Sequence, residues 1–381
     1  MDDIRLRHIH WRSGHERSSR ARGFLLRDDR RSLTADGFAA EVAGLAFLFA
    51  HKGIGRGDVV ASMLPNRLDI VVAMFAAWRL GATFMPINPG LTAGEARYQV
   101  EDADCRLILV DADSAARVTA TGAVLLPVDA RHETGRATLP DMSVAAGETA
   151  LLIYTSGTTG KPKGVMLSHG NIDAMIGSIH EALALDGDLS LLVMPLFHVN
   201  ALILSILAPL AAGGSAQIVA AFDRRSFWRT VCGSGASYFS GVPAMYLLLT
   251  AEEGEPAPAP ALRFAVCGAA PMPASAIGTF EARYGVPIIE GYGLTESTVG
   301  AALNPLHGTR RPGSVGQAMP GVGIAVLDDR GAPCPTGMVG EIVLRGANVM
   351  QGYLRRPGDT AAAIVDGWLR TGDLGHLDPD G

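Results

Sequence analysis

The stretch "LIYTSGTTGKPKGVMLSH", residues 152–169, governs the reading of the whole chain. An apolar, strand-like run enters it and a second short apolar run, "GVML", leaves it. Between them lie Gly157 and Gly160, the hydroxyls of Thr155, Ser156, Thr158 and Thr159, and the ammonium groups of Lys161 and Lys163. Glycine allows close approach of backbone to a ligand, and Gly164 carries that freedom into the second run. Exposed N–H groups and hydroxyls donate to phosphate oxygens. Pro162 stiffens the segment and keeps both cations near one polyphosphate. Chemically this is a triphosphate clamp, and a flexible surface loop is the weaker reading.

The spacing excludes a kinase-type phosphate loop. That motif needs four residues between its first glycine and a Gly-Lys pair, followed by Ser or Thr. Here two threonines separate Gly157 from Gly160, and Pro162 follows Lys161. The loop also runs from strand to strand, so no helix N-terminus is seated on the phosphates.

Outward from the loop, strand-like and helix-like segments alternate, which predicts α/β architecture with parallel sheets. "DVVASML" (58–64) reads as a buried strand and "RLDIVVAMFAAWRLG" (67–81) as a helix stopped by Gly81. "ATFMPIN" (82–88) and "TALLIYTS" (149–156) read as further strands. Asn171 is expected to cap a helix carrying Ile172, Met175, Ile176, Ile179 and Leu183 on one face. "LRFAVCG" (262–268) and "VPIIEGYG" (286–293) read as strands. The helix between them, "PASAIGTFEARYG" (273–285), has Pro273 for its first turn and Gly285 for its end. Past residue 300 the pattern becomes short β segments broken by Gly and Pro, such as "GIAVLDD" and "GEIVLRG", expected to form a small antiparallel or barrel-like unit. "EEGEPAPAPA" (252–261) reads as an exposed linker.

Composition narrows the class. At 381 residues the chain can build two or three packed units. A net charge of -6 offers no broad basic field for nucleic acid or anionic lipid. The Arg-rich opening, residues 5–23, is expected to be a solvated terminus rather than a binding arm. The four cysteines, Cys105, Cys232, Cys267 and Cys334, show no metal-ligand spacing and fit free thiols in a reducing compartment, with cytoplasm the default. No signal-type apolar region follows the first charges, and the longest apolar run, "ALILSILAPLAAGG" (201–214), is too short and too broken by Pro209 to span a bilayer.

"YTSGTTGKPKGVMLSH" closely resembles the phosphate-loop signature of the acyl-adenylate-forming superfamily, which includes acyl- and aryl-CoA synthetases, peptide-synthetase adenylation domains and luciferases. "GATFMPINPGL", "PLFHVN", "CGAAP", "GYGLTES", "RPGSVGQAMPG", "GEIVLRG…MQGY" and "GWLRTGDLG" match family segments in the family's order across nearly the whole chain. The resemblance implies two doubly wound α/β subdomains, together residues 1–300 with a boundary about 190, and a small distorted β-barrel subdomain over 301–381. It also implies a reaction. A carboxylate attacks the α-phosphorus of ATP, pyrophosphate leaves, and a thiol, usually CoA, displaces AMP from the acyl-adenylate. The substrate carboxylate is itself the nucleophile, so positioning and charge neutralisation do the catalysis.

The resemblance also implies the site residues. Tyr292 stacks on adenine, Thr295 bonds the α-phosphate and Glu296 holds Mg2+. Gly268, Ala269, Ala270 and Pro271 form the adenine slot, with Glu290, Gly291 and Gly293 beside them, and Asp373 accepts from the ribose hydroxyls. Thr155, Lys163 and the rest of the loop hold the phosphates. His198 sits near the substrate carboxylate as a gate toward the thiol. Val199, Asn200, Ala201, Gly241, Val242, Gly268, Gly291 and Leu294 line the acyl pocket. Amino-acid-activating relatives place an Asp just after the aromatic of "PLFHVN", and here His198 and Val199 follow Phe197. An apolar acyl or aryl carboxylic acid is therefore expected.

Family members continue past the position of "HLDPDG" with a lysine-bearing lid domain of roughly a hundred residues. Without it, residues 1–381 are expected to bind ATP and acid but to form adenylate slowly. The readings that stay open are a CoA synthetase, an adenylating ligase that loads a carrier protein, and a nucleotide-binding module without full turnover.

Overall fold

The structure is a computed structural model that describes residues 22–119, 121–130, 143–155, 160–254 and 256–381. Ser156, Gly157, Thr158, Thr159 and the Arg-rich residues 5–21 lie outside the described residues.

The first sheet has seven strands. In spatial order they are Gly352–Tyr353, Lys163–Ser168, Thr149–Thr155, Thr83–Ile87, Val59–Met63, Cys105–Val110 and Val124–Pro127. The last five run parallel, and the first two pair antiparallel. Strands of this kind read as unbroken apolar runs because both faces are covered. Along Cys105–Val110, Leu107 and Leu109 enter the large core, with helices Ala35–His51 and Leu68–Arg79. Ile108 and Val110 enter a second cluster with Ala96 and Val100 of helix Ala93–Asp102. Helices thus cover both faces.

The second sheet has nine strands. Its centre is parallel: Ser215–Ile218, Leu189–Leu192, Tyr238–Gly241, Phe264–Cys267 and Ile288–Tyr292. Ala302–Leu303 and Gln317–Ala318 extend one edge antiparallel. Leu26–Arg27 and Ser32–Leu33 extend the other, although they precede the first sheet in the chain. Sheet membership is therefore not contiguous in sequence. A four-stranded antiparallel sheet follows, centred on Gly340–Gly346 between Val322–Leu327 and Trp368–Gly375, with Ile364–Val365 at its edge. The whole is a mixed α/β fold with two largely parallel sheets and a curled antiparallel one.

Local details sharpen the expectations. Helix His169–Leu183 is capped by Ser168, not Asn171. Asn171 is the third helical residue, and its side chain returns to the Ser168 N–H to complete a capping box. Ile172, Met175, Ile176, Ile179 and Leu183 are all buried, as their spacing requires. Pro273 is the N-cap residue of Ala274–Tyr284 rather than part of its first turn, and Gly285 closes that helix in the left-handed conformation. Pro209 does not break the apolar run. Val199–Leu202, a π turn at Ile203–Leu207 and Ala208–Ala211 form one continuous buried helical segment, with Pro209 close to the start of its last piece. The linker at 252–261 is largely exposed but tethered, since Trp228 Nε1 donates to the Ala257 carbonyl at 2.6 Å. No helix among the described residues is long and apolar enough to cross a membrane.

Candidate active site

The strands that flank the glycine-rich loop pair antiparallel, with Thr155 directly opposite Lys163. Both flanks are anchored from outside. Tyr154 Oη donates to Asp102 Oδ2 at 2.7 Å, and Tyr98 Oη donates to the Pro162 carbonyl at 3.0 Å. The Lys161 ammonium lies over the Tyr98 ring at 5.6 Å. Lys163 Nζ lies 3.3 Å from Asp359 Oδ2 and 5.0 Å from the Tyr353 ring centre. A Cβ at Gly164 would sit 2.9 Å from Leu152 Cδ1, so its smallness serves the hairpin's own packing.

"GYGLTES" continues the Ile288–Tyr292 strand into the turn Thr295–Ser297. Thr298 and Val299 follow with φ of 53° and 86°, an unfavourable region for β-branched residues. The turn is held there by Thr298 Oγ1 donating to the Asn348 carbonyl at 2.6 Å and by Asn348 Nδ2 bonding the Ser297 carbonyl at 2.9 Å. Strain retained by surrounding hydrogen bonds is typical of functional turns. It aims Thr295 into the cavity and leaves the Glu296 carboxylate half-buried beside Tyr353, whose hydroxyl donates to Glu296 Oε1 at 2.9 Å.

Asp373, on the strand Trp368–Gly375, is exposed and accepts from Tyr292 Oη at 2.6 Å. Tyr292 and Asp373, the residues expected at adenine and ribose, thus meet across the boundary between the second sheet and the curled one. Burial, with the Asp373 carboxylate next in importance, raises the Tyr292 pKa and keeps it a donor.

The carboxyl ends of Tyr238–Gly241, Phe264–Cys267 and Ile288–Tyr292 open onto one cavity, the edge at which open α/β sheets bind ligands. Its volume is about 290 Å³, and it opens to solvent at its mouth. His198, Val199, Asn200, Gly241, Val242, Gly268, Ala269, Gly291, Tyr292, Gly293, Leu294 and Thr295 all line it. At Gly293 a Cβ would meet the Val299 carbonyl oxygen at 2.2 Å, so only glycine permits this turn to fold back. Ala269 reaches the wall with a φ of 69°. His198 stands at the mouth, its ring open to solvent on one side, and desolvation on the other lowers its pKa toward the neutral form.

Other expected residues lie elsewhere. Ala201 is fully buried in the main core, and Ala270 and Pro271 are exposed outside the cavity. The Glu290 side chain faces away, toward a small hollow with Asn304 and Arg310, and accepts from the Gly313 N–H at 3.1 Å. Burial raises its pKa. The Cys267 thiol lines the cavity but is pushed up to about 12, by burial first and Glu290 second, so it is no nucleophile.

The sequence pattern did not mark Met175, Ile179 and Leu183, which line the cavity from the helix, or Leu204 and Met319. Helical periodicity marks an inward face without saying whether it meets side chains or a void. Tyr353 was missed as well, although "MQGY" was visible as a family segment. Among the described residues no cluster of three or more metal-ligating side chains exists.

A cationic hairpin facing a nucleotide edge, with an acid-sized apolar cavity alongside, defines an enzyme that activates a carboxylate with a nucleotide. The chain belongs to the AMP-binding enzyme family, whose profile matches residues 14–354. It is 36% identical to a sulfoacetate–CoA ligase of Cupriavidus necator over 93% of this chain and 72% of the relative. It is 34% identical to a feruloyl-CoA synthase of an Amycolatopsis species, over 92% and 72% respectively. The ATP-bound crystal structure of MatB from Rhodopseudomonas palustris superposes with a TM-score of 0.87 at 28% identity, covering 97% of this chain and 77% of that one. The activity is that of a CoA ligase: ATP-dependent formation of an acyl-adenylate with release of pyrophosphate, then thioester formation with CoA.

Proposed function

We propose that the acid is a monocarboxylate with an apolar aliphatic or aryl body. The observation that carries this is the cavity lining. Met175, Ile179, Leu183, Leu204 and Met319 form its wall, and among the described residues neither Lys nor Arg lines it. A second anionic group would be desolvated there without a counter-charge, a cost of several kcal/mol at least. The one polar pair is Ser240, which donates to Asn200 Oδ1 at 3.1 Å.

The acid enters past His198 with its carboxylate toward Thr295, and Tyr292 and Asp373 hold adenine and ribose. Lys163, with the hairpin tip, neutralises charge on the departing pyrophosphate, the largest contribution available where the nucleophile belongs to the substrate. The donor set fits Mg2+. Glu296 offers one carboxylate with Oε1 engaged by Tyr353, and a hard ion carried by phosphates needs one or two protein carboxylates, not a cage. When bound, the ion would offset phosphate charge. Four free cysteines accord with a reducing, cytoplasmic setting.

The test is acid-dependent pyrophosphate exchange across fatty, aryl and dicarboxylic acids, followed by CoA-dependent AMP release. Exchange is expected with apolar monocarboxylates. A preference for dicarboxylic or sulfonated acids would overturn the reading.

A further inference from the structure

Tyr353 links the two charged halves of the phosphate site. Its hydroxyl donates to Glu296 Oε1 at 2.9 Å, and the Lys163 ammonium lies over its ring at 5.0 Å. The backbone around it is fixed on three sides. Gly352–Tyr353 pairs with Lys163–Ser168, Tyr353 lying opposite Val165, and the Leu354 N–H donates to the Gly164 carbonyl at 2.8 Å. The Met350 N–H donates to the Glu296 carbonyl at 2.8 Å. The Tyr353 N–H donates to Thr360 Oγ1 at 2.9 Å. Gly352 adopts a φ of 142° and packs against Thr360, where a Cβ would stand 2.6 Å from the threonine methyl. One short segment, 350–354, is thus fastened to the strand that carries Lys163 and to the turn that carries Glu296.

We infer that Tyr353 is a positioning residue for the metal–nucleotide complex: its hydroxyl fixes which oxygen of Glu296 is offered to the cation, and its ring face holds Lys163 in reach of the same phosphates. Resting on the assignment of Glu296 as the metal carboxylate, the inference adds a residue that touches neither metal nor nucleotide. An oxygen already bonded by a phenol cannot rotate freely, so Oε2 is the oxygen left to a cation. The ring supplies an electron-rich face for an ammonium without neutralising it. Asp359, 3.3 Å from Lys163 Nζ, neutralises it in part, and the ring keeps the lysine in place when phosphate displaces that carboxylate.

The experiment is calorimetric binding of ATP to the whole chain in the absence of acid, with excess magnesium or with EDTA. Tyr353→Phe keeps the ring and removes the hydroxyl. Its magnesium-dependent gain in ATP affinity should fall about 10-fold, the usual scale for removing a partner of a metal ligand, with affinity in EDTA unchanged. Tyr353→Leu should lose that gain and also weaken inorganic pyrophosphate binding in EDTA by about 3-fold, the scale of an exposed cation–π contact. Glu296→Gln is the control for the metal reading. If it retains the full magnesium-dependent gain, Glu296 is not the metal carboxylate and both readings fall. If it loses the gain while Tyr353→Phe keeps it, the positioning role alone is overturned. Equal loss with and without magnesium in Tyr353→Phe, the signature of a merely structural residue, also overturns it.

Discussion

The two halves of the site are built on opposite principles. The acyl side is a void left in a packed core, walled by Met175, Ile179, Leu183 and Met319 and held by the burial of whole helices and strands. The proposed phosphate side is a set of charged and polar groups on four distant segments: Lys163 on the hairpin, Glu296 in a strained turn, Tyr353 on a two-residue strand and Asp373 on the curled sheet. It is half-buried to exposed and held by single hydrogen bonds such as Tyr353 to Glu296 and Tyr292 to Asp373. The difference teaches where each property resides. On the proposed roles, selectivity for the acid would rest on shape in an apolar wall, and catalysis on charged groups that one substitution removes without disturbing the core.

The comparison can be broken first at Lys163. Lys163→Ala should lower pyrophosphate exchange by about 10²–10³, the scale of losing one contact to developing charge, with AMP affinity and melting temperature near wild type. A large fall in AMP affinity would show that the two halves are not separable.

A smaller effect is expected at Asp373. Asp373→Ala should weaken AMP and ATP alike by about 1–3 kcal/mol, as for lost hydrogen bonds to a charged group, and also free Tyr292 Oη. Equal AMP affinity in variant and wild type would refute the ribose assignment.

Smallest is the effect at Glu290, a carboxylate buried on the strand Ile288–Tyr292. Its native pKa is raised by burial, while its unfolded value stays near 4.5. The native state therefore holds the proton to higher pH. Its favourable contribution is complete below the unfolded value and is lost as pH rises through the native one. Glu290→Gln should raise the melting temperature at neutral pH, and the gain should vanish below about pH 4.5. A gain that persists in acid would locate its cause in packing instead.

Much of this was legible in the chain itself. The parallel strands declared themselves as apolar runs because both sheet faces are covered. The hairpin setting of the phosphate loop followed from "GVML" being strand-like, and Lys163 does stand opposite Thr155. Less legible was whatever depends on which way a face turns. Glu290 and Tyr292 are two residues apart on one strand, yet one faces a hollow with Arg310 and the other the cavity. Ala201 follows Asn200 directly but turns into the core. Pro209, which looked like a break, is absorbed because the preceding π turn reorganises the hydrogen bonds its ring would disrupt.

Local chemistry by itself determined the alternation of elements, the polyphosphate character of residues 155–163 and the list of charged groups serving it. Those rest on residue type, spacing and short-range geometry, which a linear chain carries in full. Only the tertiary structure decided that Met175, Ile179 and Leu183 wall a cavity instead of filling a core. It alone brought Tyr353 between Lys163 and Glu296, and Tyr292 against Asp373. Those contacts join segments dozens to well over a hundred residues apart, and their geometry is fixed by how sheets pack, which no local pattern encodes.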